Sequence, residues 1–180
     1  MTSGIEKVGI IGAGQMGTGI ALVCAQGGMD VRLHDVDMER VKASIAMIDA
    51  LLARGVAKGQ VTEAGRQAAL GRIEPAARLE AFADRDLVIE AATEVEEVKR
   101  KIFAALRDHV RKDALVASNT SSISITRLAS VTANPERFIG VHFMNPVPKM
   151  QLVELIRGIA TSDETFQIAK ALNARCRMSL

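Results

Sequence analysis

The residues of this chain best suited to chemistry fall into a glycine-spaced turn near its start and a histidine with a carboxylate partner far along it. Gly12-Ala13-Gly14-Gln15-Met16-Gly17 has the G-x-G-x-x-G spacing. The run Val8-Gly9-Ile10-Ile11 leads into it as a buried strand, and the apolar segment Ile20 to Gln26 follows as a helix closed by Gly27-Gly28. Gly12 permits the tight turn, Gly14 lets the backbone approach a pyrophosphate, and Gly17 lets helix and strand pack closely. The helix start then offers free N–H groups and a partial positive charge to the phosphates. Glycine spacing alone is a weak signal. Here Asp30 to His34 reads as the next strand and ends at Asp35, near the expected distance of about 20 residues for a ribose-binding acid. Asp35 can accept both hydroxyls of an adenosine ribose and repels a 2′-phosphate, so the sequence predicts NAD rather than NADP.

Those groups must be positioned by alternating elements. Met38, Val41, Ile45, Ile48 and Leu52 make one apolar stripe on a long helix. Gly55 and Gly59 are expected to break it, and Thr62-Glu63 to start a shorter helix ending near Leu70. This pair is longer than a crossover needs and is expected to project from the body. Arg72 to Pro75 reads as an edge strand because of its proline, and Asp86 to Ala92 as a strong buried strand. Val95, Val98, Ile102 and Ala105 mark a helix whose exposed side offers Glu96/Arg100 and Glu97/Lys101 pairs. Ala114 to Ser118 is a further strand, with a helix near Ile125 to Ser130 after it. Phe138 to Phe143 and Leu152 to Ile156 are the last strands, followed by a helix over Asp163 to Leu172. The fold class is therefore α/β: a Rossmann-type, doubly wound, mainly parallel sheet. Met144 to Gln151 is too short for a parallel crossover, so the final strand is expected to run antiparallel.

Ligands of such a sheet gather beyond the C-terminal ends of the strands. Asp35, Thr93-Glu94, Asn119 to Ser122 and His142 to Asn145 all fall there. The antiparallel return can bring Glu154 beside His142. A carboxylate next to an imidazole fixes its tautomer and stabilises the imidazolium formed when it takes a proton, which is what hydride removal from an alcohol requires of a base.

Composition excludes several alternatives. The 180 residues carry a net charge of +2, with no Trp, no Tyr and five Phe, so neither a basic run nor an aromatic platform supports nucleic acid as a partner. The two cysteines, Cys24 and Cys176, match no metal spacing and suit a reduced, cytoplasmic protein. Val8 to Met29 carries no charge, as a leader or membrane anchor would, but its glycines and glutamines argue against both.

The runs Ser118-Asn119-Thr120-Ser121-Ser122 and Gly140-Val141-His142-Phe143-Met144-Asn145-Pro146-Val147-Pro148-Lys149-Met150, with Leu152-Val153-Glu154, resemble the L-3-hydroxyacyl-CoA dehydrogenase family. The resemblance extends from Lys7 to about Leu172 and includes the helical pair. It implies His142 as the base for a 3-hydroxyl group, Glu154 as its orienting partner and Ser121 as a hydrogen-bonding group for the substrate oxygen. It also implies that Gly12, Ala13, Gly14, Gln15, Met16, Gly17 and Asp35 hold the adenosine and pyrophosphate of NAD. Glu94, Lys99, Asn119, Ser121 and Asn145 would line the rest of the cofactor site, and Lys58 would approach the CoA of an acyl-CoA substrate. Leu51 stands where some members carry a CoA-contacting serine, and Met144 where many have Phe.

In that family the dinucleotide domain is followed by a helical second domain that closes the substrate cleft and forms most of a dimer interface. Residues 1–172 account for the first domain, residues 173–180 read as an atypical tail, and the 180 residues hold no counterpart of the second. The resemblance therefore predicts an exposed apolar surface and self-association through it.

Overall fold

The strands at the centre of the sheet are buried on both faces. In the computed structural model, which describes residues 4–176, β1 (Lys7–Ile11), β4 (Leu87–Glu90) and β5 (Leu115–Ser118) are shielded at almost every position. Continuous burial is what a parallel strand covered by helices on both sides requires. β2 (Asp30–His34) and β3 (Ile73–Pro75) lie to one side of β1. β6 (Phe138–Phe143) and β7 (Val153–Ile156) lie beyond β5. The order is β3-β2-β1-β4-β5-β6-β7. Neighbours are parallel except β6 and β7, which are antiparallel with His142 opposite Glu154. The mainly parallel sheet and the reversed last strand agree with the sequence expectation, and Pro75 sits on an edge strand where a missing N–H is harmless.

Alternate residues of each strand feed two cores. Val8, Ile10, Leu87, Ile89, Ala117 and Val141 join one, with α1 (Gln15–Gln26), α2 (Met38–Ala57) and α6 (Asp163–Arg175). Ile11, Val88, Val116 and Phe138 join the other, beneath α4 (Glu96–Leu106) and α5 (Ile125–Ala129), where Phe103 and Phe138 meet edge to face at 4.9 Å. On the second face Ile125 of α5 abuts Gly140, so closely that a Cβ there would lie 2.8 Å from it. The short helix ends that cover, and His142, two residues farther along the strand, stays accessible.

The stripe on α2 behaves as its spacing predicts: Val41, Ile48 and Leu52 are buried, and Ser44 between them bonds Thr18 of α1 at 2.7 Å. Gly55 does not break the helix, contrary to expectation. The helix runs through it to Ala57 and ends in a Schellman turn, with Gly59 at φ 67° and N–H bonds from Gly59 to Val56 and from Gln60 to Gly55. Only the second glycine occupies the left-handed position that terminates the helix. α3 (Glu63–Leu70) follows, capped by Thr62. α6 likewise continues past Leu172 to Arg175, whose guanidinium donates to the backbone oxygens of Ile5 and Gly27 and pairs with Glu6. Residues 177–180 of the expected tail lie outside the described residues. On α4, Glu97 pairs with Lys101 at 2.8 Å as expected. Glu96 instead takes the guanidinium of Arg127, and Arg100 donates to the backbone oxygen of Arg127 at 3.0 Å. A planar two-pronged partner on the adjacent helix α5 outcompetes a same-helix neighbour.

At the sheet's opposite end Asp84 accepts from Arg85, Lys7 and Arg32 at 2.8–3.0 Å. The hydrogen bond from the buried Arg85 guanidinium, followed by that from Lys7, holds the Asp84 carboxyl well below the usual carboxylate range despite some burial. The native state thus holds fewer protons than the unfolded chain around the ordinary carboxylate pKa. Its contribution is complete above that value and is lost as pH falls towards the native one. Asp84 is 45% exposed, so solvent screens the effect. Replacing Asp84 by Asn is expected to lower stability at neutral pH by up to about 1 kcal/mol. It should also flatten the acid limb of a urea-unfolding pH series.

Candidate functional site

The glycine turn closes against the end of β4. Gly12 has φ 108°, and a Cβ there would lie 2.6 Å from the backbone oxygen of Ala91. One on Gly17 would lie 1.8 Å from the oxygen of Gly12. Gly14 differs: a Cβ on it would meet nothing within 4 Å. Two glycines are thus required by the protein's own packing, and the middle one faces open space where a ligand backbone can approach. Gly14 is also the N-cap of α1 and supplies no side chain to cap it, which leaves the helix start for an anion.

Asp35 stands beside this opening and is 8% exposed. One of its oxygens accepts from the N–H of Ala13 at 2.9 Å and the other from Asp37 at 3.2 Å, with the guanidinium of Arg40 at 4.0 Å. The donor set therefore fits a dinucleotide, with pyrophosphate on the turn and the ribose on Asp35. A cleft of about 650 Å³ leads away from the turn between α2 and the loop after β6, past Gln15, Met47, Leu51 and Val147.

The opposite side of the crevice is built on carboxylates. Glu90, at the end of β4, has no exposed surface. It accepts from Ser118 Oγ at 2.9 Å, from the N–H of Ala92 at 2.8 Å and from Lys99 Nζ at 2.5 Å. Lys99, on α4, is 1% exposed and lies 3.9 Å from Glu94. One oxygen of Glu94 gathers the Thr120 hydroxyl at 2.5 Å and the N–H groups of Ser121 and Ser122 at 2.9 and 3.2 Å. It also takes the hydroxyls of both serines at 3.2 Å. Burial opposes ionisation of Glu94 most strongly. The hydrogen bonds from Thr120 and the serine N–H groups, with the charge of Lys99, still bring its carboxyl below the usual range. Asn119 Oδ1 accepts from the N–H of Phe143 at 2.8 Å and so links β5 to the end of β6.

There His142 presents Nδ1 to Glu154 Oε2 at 2.8 Å. A carboxylate partner assigns the proton to Nδ1 and leaves the Nε2 lone pair outward. Directly paired residues share a face, so Leu152 and Ile156, 42% and 37% exposed, flank Glu154 on this surface.

The structure thus brings together the turn, Asp35, Glu94, Ser121, His142 and Glu154 at the C-terminal strand ends. Asn145 is exposed, two residues beyond β6. Lys99 faces Glu90 and Glu94 from below the surface. Lys58 is exposed at the C-cap of α2, a 20-residue helix about 30 Å long whose other end is capped by Asp37, two residues after Asp35. It therefore stands apart from the cofactor crevice, on the helix whose Leu51 lines the adjoining cleft. Glu90 escaped the sequence reading, and Thr120 entered it only within the polar run Asn119 to Ser122, without a role of its own. A carboxylate closing an otherwise apolar strand was the signal for Glu90. Among the described residues no group of three or more His, Cys, Asp or Glu could hold a metal ion, and no helix is long and apolar enough to cross a membrane.

The sequence matches the family model for the 3-hydroxyacyl-CoA dehydrogenase NAD-binding domain over residues 7–179. It is 59% identical over 175 residues to a 3-hydroxybutyryl-CoA dehydrogenase of Bradyrhizobium diazoefficiens, covering 97% of this chain and 60% of that protein. It is 50% identical to a probable 3-hydroxybutyryl-CoA dehydrogenase of Deinococcus radiodurans, covering 90% and 58%. The crystal structure of (S)-3-hydroxybutyryl-CoA dehydrogenase from Ralstonia eutropha superposes with a TM-score of 0.94 at 45% identity, covering 97% of this chain and 62% of that one. The chain therefore spans about three-fifths of the length of the relatives it matches.

Removing one member of a buried ion pair strands the other, at a cost of about 3–5 kcal/mol. Lys99→Met is expected to lose stability in that range in urea unfolding, and Glu90→Gln/Lys99→Met, which removes both charges, to lose markedly less.

Proposed function

The chain belongs to the 3-hydroxyacyl-CoA dehydrogenase family, as its NAD-binding domain, and from that premise we propose that it interconverts L-3-hydroxyacyl-CoA and 3-oxoacyl-CoA with His142 as the base. The observation that carries this reading is the 2.8 Å contact between His142 Nδ1 and Glu154, beside a dinucleotide turn. Bound NAD supplies the acceptor for the hydride leaving C3 of the acyl chain. As the C3–H bond breaks, the hydroxyl O–H bond also breaks, its proton passes to Nε2 of His142, and the C3–O bond becomes a carbonyl. Glu154 holds the ring by Nδ1 and stabilises the imidazolium. In the reverse direction the same imidazolium returns the proton to the carbonyl oxygen.

Ser121 would bond the substrate oxygen. Its hydroxyl, which donates to Glu94 at 3.2 Å, can instead donate to the substrate oxygen, whose own proton is directed at Nε2 of His142. The apolar cleft along α2 offers a path for the acyl-CoA, and the hydrophobic Leu51 there favours its apolar parts over its polar ones. Cys24 and Cys176 are both buried and free, which supports a reducing, cytoplasmic setting. The uncovered Leu152 and Ile156 around Glu154 support a surface that a second apolar face completes, in another copy or another domain. They also support a second reading, in which the chain is a module that binds NAD(H) without turnover because the acyl chain is not held.

Acetoacetyl-CoA-dependent oxidation of NADH by the 180-residue chain separates the two. The expected outcome is turnover that falls about 100- to 10,000-fold in His142→Ala, as for loss of a general base, with a smaller loss in Glu154→Gln. Undiminished turnover in His142→Ala would overturn the assignment of the base. Binding of NADH with no turnover in the unmodified chain would favour the second reading.

A further inference from the structure

Cys24 and Cys176 are the only cysteines of the chain, and the proposed reaction uses neither. One lies in the last turn of α1, and the other is the C-cap of α6. The fold brings them together. A Cβ on Gly27 would lie 3.2 Å from the backbone oxygen of Arg175 and 3.3 Å from that of Cys24, so the two helix ends meet at one point. Arg175 fastens them there through the backbone oxygens of Ile5 and Gly27. Both thiols belong to the same apolar core, and the Cys24 S–H donates to the Cys176 sulfur. Side chains that already meet in this way need little movement for a bond between their sulfurs.

The two thiols differ in access and in acidity. Cys24 has no exposed surface, whereas Cys176 is 6% exposed. Cys176 and Arg175 form one wall of a cleft of about 390 Å³, whose other walls include Gln26, Thr62 and Pro148. Donation from Cys24, with the charge of Arg175, brings the Cys176 thiol below its ordinary range against its burial. The same contact and full burial push the Cys24 thiol well up. Cys176 is thus the thiol prepared to attack, and Cys24 the one that stays protonated behind it.

We propose that Cys24 and Cys176 form a reversible disulfide site whose substrate is a small-molecule disulfide reaching Cys176 through this cleft. The Cys176 thiolate attacks one sulfur of that oxidant, forming a mixed disulfide and releasing a first small thiolate, which takes up the Cys176 proton. Cys24, losing its proton, then attacks the Cys176 sulfur. The mixed bond breaks, the Cys24–Cys176 bond forms, and the second small thiolate leaves with the Cys24 proton. Two protein thiols are oxidised, and one small disulfide is reduced to two thiols. The new bond ties the end of α6 to α1, and an excess of small thiol reverses it.

Oxidised glutathione is the probe, applied to the unmodified 180-residue chain below its urea transition. After acid quenching, the chain is unfolded and treated with N-ethylmaleimide. The expected product is monomeric, two hydrogens lighter, and takes up no maleimide, while dithiothreitol restores both sites. The oxidised chain should unfold at higher urea, because the bond closes most of the chain into one loop. In Cys24→Ala one glutathione should remain on Cys176, and in Cys176→Ala uptake at Cys24 should be at least about tenfold slower. If an alanine variant does not fold, early quenching of the unmodified chain and peptide mapping should find the mixed disulfide on Cys176.

Disulfide-linked dimers, or glutathione on both cysteines without a cross-link, would overturn the pairing. So would two thiols that stay unreacted. A rate that climbs with urea in step with the unfolded fraction would contradict a site in the native fold. A mixed disulfide found first on Cys24 would overturn the assigned order of attack. None of these readouts needs NAD, acyl-CoA or turnover, so they stand whether or not the proposed dehydrogenase reaction does.

Discussion

Glu90 is a carboxylate with no solvent, and the crevice is arranged around keeping it satisfied. A charge in that position is tolerable only when paired and fully hydrogen-bonded. Its partners come from β5, from the backbone after β4 and from α4, so the same carboxylate that needs them also fastens three elements together. The neighbouring backbone repeats the pattern, with Asn119 N–H on the Glu90 carbonyl and the Asn119 side chain on Phe143 N–H. A continuous path of hydrogen bonds runs from there to the strand that carries His142. The site is thus held from beneath by polar groups, while apolar cores on both faces of the sheet hold the strands themselves.

The glycine turn obeys a different constraint. Gly12 and Gly17 are dictated by contacts inside the protein, at Ala91 and at Gly12 itself. Gly14 is not. Its empty surroundings, the uncapped start of α1 and the nearby Asp35 leave an opening shaped for a ligand with negative charge and ribose hydroxyls. The two halves of the crevice therefore use opposite means: bare backbone on the β1–β2 side, and side-chain carboxylates on the β4–β5 side.

Much of this was legible in the sequence because it follows from periodicity and spacing. Continuous apolar runs located the central strands, the length of the 144–151 connection fixed the reversal of β7, and that reversal placed Glu154 opposite His142. The misplaced details are those decided by tertiary neighbours. Gly55 looked like a helix end, but which glycine stops a helix depends on which one takes a positive φ, and that was Gly59. Glu96 looked like a partner for Arg100, but Arg127 from another helix offered better geometry. Glu90 could not be recognised as a buried anchor until the strands and α4 were assembled, because its partners come from positions separated by 9 and 28 residues.

The proposed reaction requires an acyl C3, a nicotinamide and the His142–Glu154 pair to meet in this crevice for hydride transfer. Incubating the 180-residue chain with acetoacetyl-CoA and NADH doubly deuterated at C4, then locating the label by mass spectrometry, tests it most directly. The expected result is 3-hydroxybutyryl-CoA carrying one deuterium at C3. Product without deuterium at C3, or bound NADH with no product, would rule out hydride transfer to an acyl C3 in this crevice.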